Sequence, residues 1–179
     1  FRRVASLAAE YGLEVSSVLT MAQFAYPLVA EDESVRRTGI DLVKQLLDCG
    51  EILGAPNLLV LPGAVTAAVT YQQAHDRLIE SLGVLLPEAE KRKIGLGLEN
   101  VWGKFLYSPL EMRDIVDHFD SPYLGVHFDV GNVLPYGYPE QWIRILGRRL
   151  LSVHLKDYRE SIGNIHGFTY LFQGDVAWD

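Results

Sequence analysis

The chain alternates between short apolar runs of strand length and longer segments in which apolar residues recur with the period of a helix. This alternation predicts parallel strands joined by right-handed helical crossovers, and therefore an α/β fold. Predicted strands cover residues 13–20, 57–61, 94–99, 124–129 and 150–156. Predicted helices cover residues 1–11, 31–53, 71–93, 108–119 and 139–149, and the tail from 157 to 179 is expected to be a loop without a clear strand.

Glycine and proline residues mark several of the predicted boundaries. Gly54-Ala55-Pro56 ends the second helix, because Gly suits a helix C-terminus and Pro cannot continue the helix. Ser108-Pro109 is typical of a helix start. Pro87 lies within the third predicted helix, which we expect it to kink or split.

The composition excludes several classes of protein. With 49% hydrophobic and 22% charged residues the chain is typical of a globular domain. The net charge of −7 argues against a nucleic-acid partner, and the longest apolar stretch, residues 58–69, is too short to cross a bilayer. The single Cys49 is consistent with a reducing compartment such as the cytoplasm. Because the chain opens at Phe1, we expect it to be part of a longer polypeptide.

Two architectures fit the alternation: an open doubly wound sheet and a piece of an eightfold (β/α) barrel. No Gly-rich dinucleotide fingerprint follows any strand, which weakens the first. Three predicted strands have one apolar face and one small or polar face, although parallel strands are normally apolar on both. A barrel interior with a solvated end explains this pattern. The small or polar faces carry Gly95, Gly97 and Glu99; Gly125, His127 and Asp129; and Ser152, His154 and Lys156.

Glu99, Asp129 and His154 are expected to meet at one end of the barrel, because each lies near the carboxyl end of its strand. Two carboxylates and an imidazole in one place call for a divalent cation, and Mn²⁺, Mg²⁺, Co²⁺ and Zn²⁺ all suit such ligands. Each residue also has a structural interpretation: a strand-end carboxylate is often a helix N-cap or an ion-pair partner. His127, one layer deeper, is expected to be structural.

Several segments resemble the xylose isomerase-like TIM barrel superfamily, and within it the sugar phosphate isomerases and epimerases, with ketose 3-epimerases and hydroxypyruvate isomerase as relatives. The resemblance spans nearly the whole chain. It lies in Leu98-Glu99-Asn100, in His127-Phe128-Asp129-Val130-Gly131-Asn132, in Val153-His154-Leu155-Lys156-Asp157, in Gly54-Ala55-Pro56 and in Gln173-Gly174-Asp175-Val176-Ala177-Trp178.

The resemblance implies that residues 1–179 form a single partial (β/α)8 TIM barrel domain with five of the eight βα units, lacking the first two strands and the last. It implies that Glu99, Asp129 and His154 bind one divalent metal ion, with a second Glu on the last strand as fourth ligand. It also implies an isomerase that transfers a proton beside a carbonyl through a metal-stabilised enediolate, with Glu99 as both ligand and base.

Four further residues are candidates for substrate binding. Asn132 stands where epimerases commonly have His, Arg159 follows the metal His with imperfect spacing, Lys156 lies on the inward face and Trp102 follows Glu99. An ion pair is the alternative for Lys156, and packing under a loop is the alternative for Trp102. The tail departs from the family pattern at Phe172 and Ala177, where Gly and Asp are common, which puts the substrate contacts of that loop in doubt.

The sequence therefore favours a metal-dependent sugar or sugar-phosphate isomerase or epimerase, with a small-molecule sugar as its partner and neither nucleic acid nor membrane. An inosose-type dehydratase on the same fold and an incomplete barrel without turnover are alternatives. Hydrolysis of abasic DNA is disfavoured, because the five histidines and the acidic charge do not suit it. The oligomeric state, including a homo-oligomer, is left open.

Overall fold

Five parallel strands form one sheet in sequence order in the computed structural model, which describes residues 1–179. The strands are β1 (Ser17–Val18), β2 (Asn57–Val60), β3 (Gly95–Glu99), β4 (Leu124–Asp129) and β5 (Leu150–His154). The helices are α1 (Arg2–Glu10), α2 (Glu33–Leu53), α3 (Tyr71–Arg92), α4 (Pro109–His118), α5 (Val130–Val133) and α6 (Pro139–Leu146). None of these helices is both long enough and apolar enough to span a lipid bilayer.

The predicted helix boundaries have visible capping interactions. The Asp32 side chain accepts a hydrogen bond from the Ser34 N–H at 2.7 Å and starts α2, and Gly54 ends α2 with a left-handed φ of 68°. Thr70 and Gln73 form a capping box at the start of α3. The prediction that Pro87 splits α3 is wrong, because α3 continues unbroken through Pro87. A stripe of fully buried apolar side chains anchors the helix on both sides of the proline.

The boundaries of several other elements differ between the prediction and the structure. The strand expected over 13–20 is reduced to β1: residues 13–16 have no regular structure, and Thr20 caps a 3₁₀ turn over Met21–Phe24. The tail, expected to lack strands, contains a short antiparallel pair, β6 (Asp157–Tyr158) and β7 (Phe168–Thr169). The helix expected over 139–149 ends at Leu146 and continues as a 3₁₀ turn.

The core lies between the sheet and the helices and confirms the predicted difference between the two faces of β3 and β4. The apolar side chains of these strands are fully buried against the helices, whereas the glycines lie on the opposite, concave face. The buried side chains are Leu96, Leu98, Val126 and Phe128.

The sheet is strongly curved, as a partial (β/α)8 barrel requires. Asn57 on β2 donates a hydrogen bond to the Ser152 hydroxyl on β5 at 3.3 Å, although two strands lie between them. In a flat sheet β2 and β5 would be about 14 Å apart, since neighbouring strands are separated by about 4.8 Å.

A β-bulge corrects one predicted orientation. Val126 pairs with Leu150 and His127 with Ser152, so Leu151 is an extra residue in β5. Its side chain, expected on the helix-facing side, turns inward, and a Cβ added to Gly125 would lie 2.6 Å from Leu151 Cγ. The bulge places Leu151 in space that the glycines leave open.

Candidate metal centre

Glu99, Asp129 and His154 meet at the carboxyl ends of β3, β4 and β5, as predicted. One ligand atom from each lies within 4.8 Å of the others. His154 Nδ1 is 3.2 Å from Glu99 Oε1 and 3.5 Å from Asp129 Oδ2. They converge because parallel strands end on the same side of the sheet, and the curvature turns their side chains towards one point.

Asp129 is the N-cap of α5, and its second carboxylate oxygen is left free of that capping interaction. Its Oδ1 accepts a hydrogen bond from the Asn132 N–H at 2.9 Å and caps α5, a helix that the sequence reading missed. Its Oδ2 is buried and lies beside two basic side chains, with the Lys156 ammonium at 2.6 Å and His154 Nδ1 at 3.5 Å. A buried carboxylate oxygen that faces positive charge, beside a second carboxylate and an imidazole, fits a divalent cation.

The charges of the site shift the pKa values of its members. Hydrogen bonds to Asp129 and then to Glu99 raise the pKa of His154 to about 9. Burial opposes ionisation of Asp129, but the hydrogen bond from His154 and the charge of Lys156 hold its pKa below the ordinary value. Without metal, His154 is therefore protonated at neutral pH, and its proton supplies positive charge that a cation would replace.

His127 lies below the triad on the same strand as Asp129. It is 2% exposed, neither ring nitrogen has a hydrogen-bond partner, and its ring centroid is 4.2 Å from that of His154. Burial, and then the neighbouring His154, lower the pKa of His127 to about 4. A neutral, packed imidazole agrees with the structural role expected for it.

Asn100 is a site residue that the sequence reading did not assign. Its side chain is fully buried, donates to the Asp129 carbonyl at 2.8 Å and accepts from the Asp129 N–H at 2.7 Å. This pair of bonds joins the end of β3 to the end of β4 and fixes the backbone that carries Asp129. An amide directly after the strand-end Glu99 was the available signal.

A cavity of about 520 Å³ opens beside the triad. Asn132, Lys156 and Trp102 line it, together with Glu99 and His154. Arg159 does not, since it is exposed and its Nε donates to the Gln173 carbonyl at 3.0 Å. Most of the remaining wall is apolar and was not predicted; it includes Met21, Phe24, Leu61, Ile165 and Phe168.

Asp157 holds the tail that carries part of this wall. Its fully buried carboxylate accepts four backbone N–H bonds and one from the indole of Trp178. Burial opposes ionisation, but the backbone donors, led by Gly174, lower the pKa of Asp157. The tail is thereby held against the end of β5, with Phe168 stacked on Trp102 at 5.2 Å.

Comparison with known proteins agrees with this geometry. The chain is 30% identical over 165 residues to 3-oxo-isoapionate decarboxylase of Pectobacterium atrosepticum, covering 84% of this chain and 58% of that protein. It is 24% identical over 162 residues to an L-ribulose-5-phosphate 3-epimerase of Salmonella paratyphi A, covering 88% and 56% respectively. The chain thus spans just over half the length of these curated relatives.

Two solved structures share the fold at lower sequence identity. A D-tagatose 3-epimerase-like protein superposes with a TM-score of 0.85 at 21% identity, covering 98% of this chain and 67% of that one. An L-ribulose 3-epimerase superposes with a TM-score of 0.78 at 19% identity, covering 98% and 58%. Residues 1–179 all match one protein family, and the chain therefore belongs to the xylose isomerase-like TIM barrel family.

Proposed function

We propose that this chain carries the metal-binding part of a divalent-metal-dependent isomerase or epimerase acting on a sugar or sugar phosphate. The observation that carries the proposal is the meeting of Glu99, Asp129 and His154 at the edge of the cavity, within 4.8 Å of one another. The relatives that are named as ketose epimerases support the same reaction class.

Each residue of the site has a distinct role in this reaction. Glu99, Asp129 and His154 hold the cation, which when bound supplies Lewis-acid charge and so makes the C–H beside a substrate carbonyl more acidic. Glu99 removes that proton. Return of the proton to the opposite face requires a second acid, which the family resemblance places on the last strand of the barrel. Asn132 and Trp102 position the sugar.

Decarboxylation of a 3-oxo acid is a second candidate. The 30% identity to a 3-oxo-isoapionate decarboxylase favours it. Loss of CO₂ beside a carbonyl leaves negative charge in the same place as loss of a proton, so the same cation and ligands serve both reactions.

Metal content and proton exchange test the proposal. We expect the purified protein to bind Mn²⁺ or Co²⁺, and to exchange the C3 proton of a ketose such as L-ribulose or its 5-phosphate with deuterium in D₂O, followed by NMR. A chelator should abolish the exchange. Glu99→Gln should lower it at least about a hundredfold, since general base catalysis contributes that much.

Two variants separate the chemistry from the fold. Asp129→Asn keeps the oxygen that caps α5 but removes the ligand Oδ2, so it should fold and lose the rise in melting temperature that Mn²⁺ gives the unaltered protein. Glu140→Gln, at an exposed acid on α6, should leave both binding and exchange unchanged. A protein that binds no divalent metal and exchanges protons equally with chelator contradicts the proposal.

A further inference from the structure

Lys156 brings a positive charge to the metal centre that metal binding itself does not require. We propose that Lys156 binds a carboxylate one or two bonds from the reacting carbonyl, so that this site prefers hydroxylated oxo acids to neutral ketoses of the same size. This inference rests on the proposed function and narrows its substrate class.

The position of Lys156 is built into the fold. Gly131 at the start of α5 leaves room for its stem, since a Cβ added to Gly131 would lie 2.8 Å from Lys156 Cβ. Its Nζ is 2.6 Å from Asp129 Oδ2 and 5.3 Å from the ring centroid of Phe168. The ammonium is thus held between the candidate metal ligand and the cavity wall, with 42% of the side chain exposed.

Lys156 and a metal ion compete for the same oxygen. A cation on Asp129 Oδ2 would take the charge that now pairs with the ammonium, and the two cations would repel each other. The other charged side chains lining the cavity are Glu99 and His154, both candidate ligands. The ring of Phe168 offers the ammonium a cation–π contact, and a negatively charged group of the substrate would give it an ionic partner.

The location of the ammonium determines which anion it can reach. Because Lys156 contacts a ligand of the candidate metal, a group that it binds lies one or two bonds from the carbonyl that the metal would hold. A carboxylate of a 2-oxo or 3-oxo acid meets this condition. A phosphate at the far end of a ketose does not, because it lies too many bonds from that carbonyl.

Isothermal titration of the Mn²⁺-loaded protein with three small ketones tests the inference. Hydroxypyruvate and dihydroxyacetone differ in having a carboxylate or a hydroxymethyl group beside the carbonyl, and dihydroxyacetone phosphate carries its anion further away. A carboxylate also ligates Mn²⁺ directly, so the informative quantity is how the preference for hydroxypyruvate over dihydroxyacetone changes on mutation. We expect Lys156→Gln to reduce this preference at least about tenfold, because a charge-assisted hydrogen bond is lost.

Lys156→Arg should keep the preference within a few-fold, and Lys91→Gln, at an exposed lysine of α3, should leave it unchanged. Lys156→Gln should also bind Mn²⁺ at least as tightly as the unaltered protein, which shows that it is folded and that the ammonium competes with the metal. An unchanged preference in Lys156→Gln overturns the inference. So does tighter, Lys156-dependent binding of dihydroxyacetone phosphate than of hydroxypyruvate. A protein that binds no Mn²⁺ overturns the proposed function as well, whereas Mn²⁺ binding with an unchanged preference overturns this inference alone.

Discussion

The imidazoles of His127 and His154 are in contact, yet their pKa values move in opposite directions, to about 4 and about 9. His127 is buried without a partner, whereas His154 faces two carboxylates. Two residues of one type at one site therefore differ in protonation at neutral pH. The environment that tertiary contacts create decides this difference.

These shifts predict that the metal-free protein is most stable near pH 6.5. Between pH 6.5 and 4 the unfolded chain protonates His127 and the folded chain does not, so the free energy of unfolding falls by up to about 1.4 kcal/mol per pH unit. Between pH 6.5 and 9 the stabilisation from protonated His154 is lost as its proton leaves, with a smaller slope because the side chain is partly exposed to solvent. Urea titrations in chelator at a series of pH values measure both slopes.

Variants assign each slope to its residue. His127→Gln should flatten the acid side and His154→Gln the alkaline side, while His75→Gln, at a half-buried helical histidine far from the site, should change neither. Parallel curves for the unaltered protein and His127→Gln between pH 6.5 and 4 would show that the buried imidazole is not the cause.

Helix α3 shows how packing can override a local signal. Pro87 cannot donate a hydrogen bond to the Gly83 carbonyl, yet the helix continues to Arg92 because its apolar stripe is anchored in the core. That stripe consists of Ala74, Leu78, Leu82, Leu85 and Ala89, all fully buried. The tertiary contacts on both sides of Pro87 outweigh its local cost.

We expect Pro87→Ala to stabilise the protein by about 1–3 kcal/mol, because it restores a backbone hydrogen bond and removes a poor helix former. Pro87 is exposed, so its removal leaves no cavity. Denaturant unfolding measures the change, and Glu80→Ala, at an exposed position of the same helix, should stay within about 0.5 kcal/mol. A loss of stability in Pro87→Ala would show that the proline is part of the packing.

The whole sheet of this chain is open at both edges. β1 pairs on one side with β2, and β5 pairs on one side with β4. Apolar side chains on or just after β5 are exposed, with Val153 at 46% and Leu155 at 60%. An unpaired strand edge with uncovered apolar groups promotes pairing with other chains.

We therefore expect the 179-residue chain, expressed by itself, to associate in a concentration-dependent way. Light scattering coupled to size-exclusion chromatography measures its mass. Leu155→Lys should lower the associated fraction by placing a charge beside the open edge, whereas Leu110→Lys, at an exposed leucine of α4, should not. A monomer at every concentration would show that the open edges are protected.

The sequence by itself determined the order of the five parallel strands and of the longer helices, the two-faced character of β3 and β4, and the convergence of Glu99, Asp129 and His154. These features can be predicted because the spacing of apolar residues identifies each strand and its two faces. Once the strands are known to be parallel, their carboxyl ends must lie on the same side of the sheet. Only the tertiary structure decided the inward orientation of Leu151, the hydrogen bonds between Asn100 and Asp129, and the ion pair between Lys156 and Asp129. It also decided which apolar side chains of the tail line the cavity. These depend on the curvature of the sheet and on contacts between residues far apart in sequence, which no local pattern encodes.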